Sequence, residues 1–312
     1  MYLEYFGLAR HPFQLKPDAD LLYLSQKHAR AFVYMDYAAW QPEGFVVVTG
    51  EIGSGKSTLI KKLLANYYNK VFCFHLNFTN LNGNDLLNYI ARQADIKVDN
   101  EKDKISVLFQ IMDHLKKIHA KGIPCVLVVD EAQNLSYENL EEIRMLAGLE
   151  GSDGPILRVV MLGQPEFINA VNASEQLRQR VKLHYHIGPL DKEEVKAYID
   201  FRLHACGYSG DDLFSEELIP AIYEASGGIP RLINKLCDSL LMCAFADRKK
   251  FPEISDMSEI QNDILLVKDS KEMPGCHGIH EKGWAAREDM NRLLNALEGI
   301  QQTLSLLLAR EK

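Results

Sequence analysis

Residues Gly50-Glu51-Ile52-Gly53-Ser54-Gly55-Lys56-Ser57 follow the spacing G-x-x-x-x-G-K-[ST], the pattern of a loop that wraps a phosphate chain. Its glycines let the backbone curl until N–H groups converge on phosphate oxygens, and a helix starting directly afterwards adds the positive end of its dipole. Lys56 is expected to bridge the β- and γ-phosphates of a nucleoside triphosphate, Ser57 to ligate Mg2+, and Thr58 to belong to the same binding set. A second group is Val126-Leu127-Val128-Val129-Asp130-Glu131, in which an apolar strand delivers two carboxylates at its carboxyl end, the edge where ligands sit in open parallel sheets. Asp130 suits the Mg2+ shell, and Glu131 suits the polarisation of an attacking water. A water activator favours hydrolysis over transfer to an acceptor hydroxyl. The nearest string to a guanine reader, Asn234-Lys235-Leu236-Cys237-Asp238, is one residue too long and lies in a helix pattern, so ATP is the expected nucleotide.

The elements that must hold these groups are readable from periodicity. Phe45 to Thr49 is a β-branched and aromatic run ending in the glycine-rich turn, with a helix starting near Ser57, and similar runs recur at Val71–Leu76, Val126–Val129, Val159–Leu162 and Leu183–Ile187. Helix-patterned segments lie between them, which predicts an α/β domain with a parallel sheet flanked by helices. After Pro189 the pattern is helical throughout, over Lys192–Cys206, Ser215–Ala225 and Pro230–Asp247, the last opened by proline at a helix start. The expected organisation is an α/β domain with its leading segment over 1–190, a small all-helical lid over 191–265, a polar linker over 266–283 and a terminal helix over 284–312. In that helix Met290, Leu293, Leu297, Ile300, Leu304 and Leu307 form a three-four apolar stripe, which predicts a partner-binding or self-association element or a face folded back on the lid.

Composition sets the surroundings. With 35 Lys+Arg against 43 Asp+Glu and a formal charge of -8, the chain has no overall drive toward nucleic acid or anionic lipid, although a local basic patch stays open. Six scattered cysteines form no Cys-x-x-Cys pair, in keeping with reduced thiols. No run approaches the ~20 apolar residues of a membrane span, and the amino terminus lacks a signal-peptide pattern. The expectation is a cytoplasmic protein, able to sit peripherally at the inner membrane through a partner. His184 and His186 share a strand face and read as structural. Cys276, His277 and His280 cluster in the linker as a minor metal candidate.

The phosphate loop, the Asp-Glu pair and the helical lid together resemble the AAA+ ATPases over residues 1 to about 265. Tyr5-Phe6-Gly7-Leu8, His11-Pro12-Phe13, Pro17-Asp18 and Tyr23-Leu24-Ser25 look like the opening of the general secretion pathway protein A group, which includes ATPases encoded with pilus, exosortase and exopolysaccharide loci. The resemblance implies that Gln164, in Leu162-Gly163-Gln164-Pro165, is the sensor 1 polar residue, with a turn cap as the plainer alternative. It implies a trans-acting arginine finger at Arg180 or Arg178, either of which could instead be a surface charge. Arg231 in Gly227-Gly228-Ile229-Pro230-Arg231 resembles the sensor 2 arginine that reaches the nucleotide phosphates, with a solvent-facing arginine as the plainer alternative, and the resemblance places Phe13 and His28 beside adenine, with core packing as the equal alternative for each.

The group resembled often continues into a transmembrane segment and a periplasmic peptidoglycan-binding domain, and residues 1–312 show neither, so output through a partner protein is expected. The function implied is an oligomeric AAA+ ATPase that uses ATP and Mg2+ to drive or switch assembly of a bacterial envelope machine for secretion, pili or exopolysaccharide export. The rival reading is a DNA-associated ATPase switch of the transposition-regulator type. A scaffold that binds ATP without hydrolysing it is a third, against which Glu131, Gln164 and Arg180 speak.

Overall fold

In the computed structural model the described residues are 2–40, 44–77, 83–97, 104–151, 154–258 and 260. The expected linker, the terminal helix and the Cys276, His277, His280 cluster lie outside them. The chain opens with a short helix, α1 (Tyr2–Tyr5), and an extended stretch carrying a 3-10 turn at Ala19–Leu21, then enters α2 (Gln26–Trp40). Strand β1 (Phe45–Gly50) leads through the phosphate loop into α3 (Lys56–Tyr67). Then follow β2 (Phe72–Leu76), α4 (Gly83–Gln93), α5 (Lys104–His119) and β3 (Cys125–Val129). Helix α6 (Tyr137–Ala147) is capped by Ser136, whose hydroxyl accepts from Asn139 N–H. A small hairpin of β4 (Glu150–Gly151) and β5 (Gly154–Pro155) precedes β6 (Leu157–Gly163), and two short helices, α7 (Phe167–Ala173) and α8 (Glu175–Arg178), lead to β7 (Val181–Ile187).

The main sheet has the order β2-β3-β6-β1-β7, and every pairing in it is parallel. Central β1 and β3 are buried along their whole length, as a sheet covered on both faces requires, whereas edge strand β7 has only Ile187 fully buried. Alternate residues divide the core. Phe45, Val47, Leu127, Val129, Val159 and Met161 face Leu86, Ile90, Ile111, Leu115 and Ile143 of α4 to α6. On the other side Val46, Val48, Val126, Val128 and Val160 face Ala31, Met35, Leu59, Ile60 and Leu63 of α2 and α3.

Helices α9 (Lys192–Ala205), α10 (Leu218–Ser226) and α11 (Pro230–Ala246) follow the sheet. A capping box between Asp191 and Glu194 starts α9, Gly227 in the left-handed region ends α10, and Pro230 opens α11. The junction is tight. Leu190 N–H donates to Gly228 O (2.9 Å), and a Cβ on Gly228, whose φ is +72°, would stand 2.0 Å from Leu190 O. The first residues of the chain, grouped by sequence with the sheet domain, bond to the lid: Tyr2 Oη donates to Asp238 Oδ1 (2.5 Å) and Ala9 N–H to Cys206 O (2.8 Å).

Candidate functional site: a nucleotide cleft

The parallel order brings the carboxyl ends of β3, β6 and β1 side by side, which sets Asp130 and Glu131, Gln164 and the phosphate loop along one edge of the sheet. The loop's shape depends on its glycines. Gly55 has φ +100° at the start of α3, and a Cβ there would lie 3.0 Å from His28 Nε2. Gly53 has φ +86°, and a Cβ there would lie 2.4 Å from Arg231 Cβ. Lid and loop therefore meet at backbone distance, and Arg231 N–H donates to Gly53 O (3.2 Å).

Lys56, only 5% exposed, donates to Gly50 O (2.6 Å) and Glu51 O (2.9 Å). Burial pushes its ammonium below the ordinary lysine value, and Glu131 and Asp130 pull it partly back. Ser57 Oγ donates to Asp130 Oδ2 (3.0 Å), while Asp130 Oδ1 accepts Glu131 N–H (2.9 Å). Burial raises the Asp130 carboxyl above its ordinary range against the lowering effect of those two bonds. Two hard oxygens at this separation are the kind of donors Mg2+ takes, and a dication beside them would offset the burial of the carboxylate. Glu131 has φ 50° and ψ 43°, a left-handed backbone that costs a side-chain-bearing residue ~1–2 kcal/mol.

The cleft between loop and lid is lined by Gly53, Lys56, Ser57, Thr58, Glu131 and Arg231 at its phosphate end. The same cleft is also lined by Leu21, Leu22, Tyr23, His28, Tyr198 and Asn234. Ile52 and Gly55 also line it. His28, buried at the start of α2, holds the loop from behind: its Nε2 donates to Ser54 O (2.7 Å), which leaves Nδ1 to accept from Ser25 Oγ (2.8 Å). Burial lowers its pKa, in agreement with a neutral ring.

Other expected residues fall elsewhere. Phe13 takes the core-packing alternative: it does not line the cleft but is buried edge-on against Phe214, with ring centroids 5.8 Å apart, because a ring with no polar atom gains most by full burial. Arg178 and Arg180 are exposed and do not line this chain's own cleft; Arg178 approaches Glu175 at 4.0 Å, and Arg180 contributes its carbonyl to Phe45 N–H. His184 Nε2 and His186 Nδ1 both meet Thr49 Oγ1, at 3.0 and 3.1 Å, and among the described residues no cluster could hold a metal through three His, Cys, Asp or Glu side chains.

Sequence reasoning missed Gln133. It lies on the 3-10 turn Ala132–Asn134, where its Nε2 donates to Glu131 Oε2 (2.6 Å) and its Oε1 accepts from Gln164 N–H (3.0 Å). One amide thus ties the carboxylate after β3 to the backbone after β6. Gly163 leaves the room, since a Cβ there would be 3.1 Å from Gln133 Oε1. The position of a glutamine two residues after the carboxylate pair was the available signal.

A profile described as an AAA domain matches residues 39–171. General secretion pathway protein A of Aeromonas hydrophila is 36% identical over 272 residues, which cover 86% of this chain and 49% of that protein. This chain carries an AAA domain of the AAA+ fold and is related to general secretion pathway protein A. It spans about half the length of that relative. The fold is also that of Cdc6p from Pyrobaculum aerophilum (TM-score 0.62, 18% identity, 78% of this chain and 68% of the other). The RuvB Holliday junction branch migration motor of Thermotoga maritima aligns with a TM-score of 0.53 at 13% identity, over 84% of this chain and 76% of that one. At these identities the two structures speak for the AAA+ fold alone. Among the described residues no helix is long and apolar enough to cross a membrane.

Proposed function

We propose that this AAA+ protein binds ATP with Mg2+ and hydrolyses it to drive or switch the assembly of a bacterial envelope machine. The observation that carries the nucleotide chemistry is the convergence of Lys56, Ser57 and Glu131 at the phosphate end of one cleft, with Asp130 bonded to Ser57 Oγ beside them. Lys56 and the loop, Gly50 to Ser57, take the phosphates, Ser57 and Asp130 hold Mg2+, and Glu131 accepts a proton from the attacking water. Gln164 and Arg231 complete the site from the sensor positions, and Arg180 reaches a neighbouring copy's nucleotide in a homo-oligomer. The envelope role is supported by the 36% identity to general secretion pathway protein A. The chain then works on the cytoplasmic side, peripheral to the inner membrane, through a protein partner.

Two variants test the chemistry. Lys56→Ala removes ATP binding measured by calorimetry. Glu131→Gln keeps binding and loses turnover by roughly 10²–10⁴-fold, the scale of a lost general base. Near-wild-type hydrolysis by Glu131→Gln would sink the assignment. The envelope role is tested by crosslinking in cells to secretion, pilus or export proteins, with Lys56→Ala altering the captured set.

A further inference from the structure

Beyond the phosphate end, three nearly buried side chains line the same cleft: Tyr198 and Arg202 of α9 and Asn234 of α11, each no more than 6% exposed. Arg202 has no carboxylate partner among the described residues. Its Nε donates to Pro12 O (2.5 Å), Nη1 to Leu21 O (3.4 Å) and to Tyr198 Oη (3.1 Å), and Nη2 to Gln14 O (3.4 Å). A guanidinium can only donate, so the Tyr198 oxygen must accept from it, and the tyrosine's own proton goes to Asn234 Oδ1 at 2.8 Å. Donor accounting therefore fixes the Asn234 amide: its oxygen is used, and its NH2 is left with no protein acceptor among the described residues. Asn234 lies one helical turn beyond Arg231 on α11, so both present the same helix face to the cleft. A donor held in this way, within a wall that also contains the apolar Leu21, Leu22, Leu190 and Pro230, fits a flat ligand with an acceptor on its edge.

We propose that Asn234 is a specificity-determining residue that donates from Nδ2 to a ring nitrogen of the adenine base, with Tyr198 and Arg202 as positioning residues that set its orientation. The inference rests on the nucleotide-binding reading above. It follows from the shared lining of the cleft: Asn234 stands one helical turn along α11 from Arg231, whose N–H meets Gly53 O of the loop, so a nucleotide whose phosphates occupy the loop can place its base against this amide. Arg202 has a second effect, because the carbonyls it holds belong to Pro12, Gln14 and Leu21, and Gln14 and Leu21 themselves line the cleft.

The test is direct binding of ADP, of 1-deaza-, 3-deaza- and 7-deaza-ADP and of 2′-deoxy-ADP to the full chain and to its Asn234→Leu and Tyr198→Phe variants, read by calorimetry. Loss of one such hydrogen bond is expected to weaken ADP binding by about tenfold. One deaza analogue should show that loss on the unaltered chain and no further loss on Asn234→Leu, the non-additivity expected of groups that touch each other. Tyr198→Phe should give a smaller loss, since the amide remains but is free to turn. If all three deaza analogues bind the unaltered chain as tightly as ADP, the inference is overturned, and that arm holds even if the variants fail to fold. Equal losses for every analogue on the unaltered chain and on Asn234→Leu also overturn it, as does a loss that appears only with 2′-deoxy-ADP, which assigns the donor to the ribose. Failure of the unaltered chain to bind ADP overturns the nucleotide reading and this inference with it.

Discussion

Alanine at Gly228 and alanine at Gly227 make an internal comparison, because both glycines have positive φ, +72° and +57°, and only their surroundings differ. A Cβ at Gly227 meets nothing within 4 Å, whereas one at Gly228 stands 2.0 Å from Leu190 O and 3.1 Å from Leu190 C. These are backbone atoms of a residue only 1% exposed, so no side-chain rotation relieves the overlap. Each alanine pays the left-handed penalty of ~1–2 kcal/mol and recovers ~0.4–1 kcal/mol through the restricted unfolded chain. For Gly228→Ala the main chain must also part by more than an ångström. That breaks the bond from Leu190 N–H to Gly228 O and leaves buried polar groups unpaired, at ~1–3 kcal/mol. The expected losses are then about 1 kcal/mol for Gly227→Ala and roughly 2–4 kcal/mol for Gly228→Ala. Urea unfolding followed by circular dichroism measures both, and thermal midpoints should differ by several degrees at ~2–4 °C per kcal/mol. Because Leu190 also lines the cleft, ATP affinity should fall with Gly228→Ala alone. Equal midpoints for the two variants would refute the packing argument.

Gln133→Leu removes the amide that spans Glu131 and Gln164; turnover should fall by about 10–100-fold, as expected for losing a ~1.5–3 kcal/mol bond to a charged group, while the calorimetric affinity for ATP stays within about twofold. Unchanged phosphate release would remove Gln133 from the mechanism. Burial depresses the pKa of His28, His75 and His184, so the unfolded chain takes protons that the folded chain refuses. The stability they contribute is complete above the ordinary histidine value of about 6.5 and declines as pH falls through the lower folded values. His28→Gln should flatten part of this decline in urea midpoints between about pH 7.5 and about pH 5, and an unaltered slope would show that His28 does not carry it.

What could be read in advance was local. The phosphate loop and the carboxylates after β3 are contiguous strings whose chemistry depends on neighbours in sequence, and the five strands of the main sheet announced themselves as β-branched runs. The hairpin at Glu150–Pro155 did not, because two-residue strands have no period to detect. Gln133 became meaningful only once β6 lay between β3 and β1, bringing Gln164 N–H within 3.0 Å of its amide. Phe13 stayed open between cleft and core because adjacency in sequence to the opening motif says nothing of whether a ring faces the cleft or Phe214. The opening segment's attachment to the lid was equally hidden, since Arg202 holds Pro12 and Leu21 from 190 and 181 residues away.

That last attachment sets an order of events in synthesis. The phosphate loop and β1 leave the ribosome early, but Pro12, Gln14 and Leu21 lack their bonds to Arg202 until α9 has been made, and Tyr2 must await Asp238, 236 residues later. At ~5–20 residues per second these bonds wait for roughly ten seconds or more. A nascent chain stalled before Arg202 would thus possess its phosphate-binding loop but only part of its nucleotide cleft. High-affinity nucleotide capture becomes a mark of a finished lid, and a chain released too soon is left with the apolar surfaces of Phe6, Leu8 and Phe13, all buried in the finished protein, exposed to chaperones and proteases.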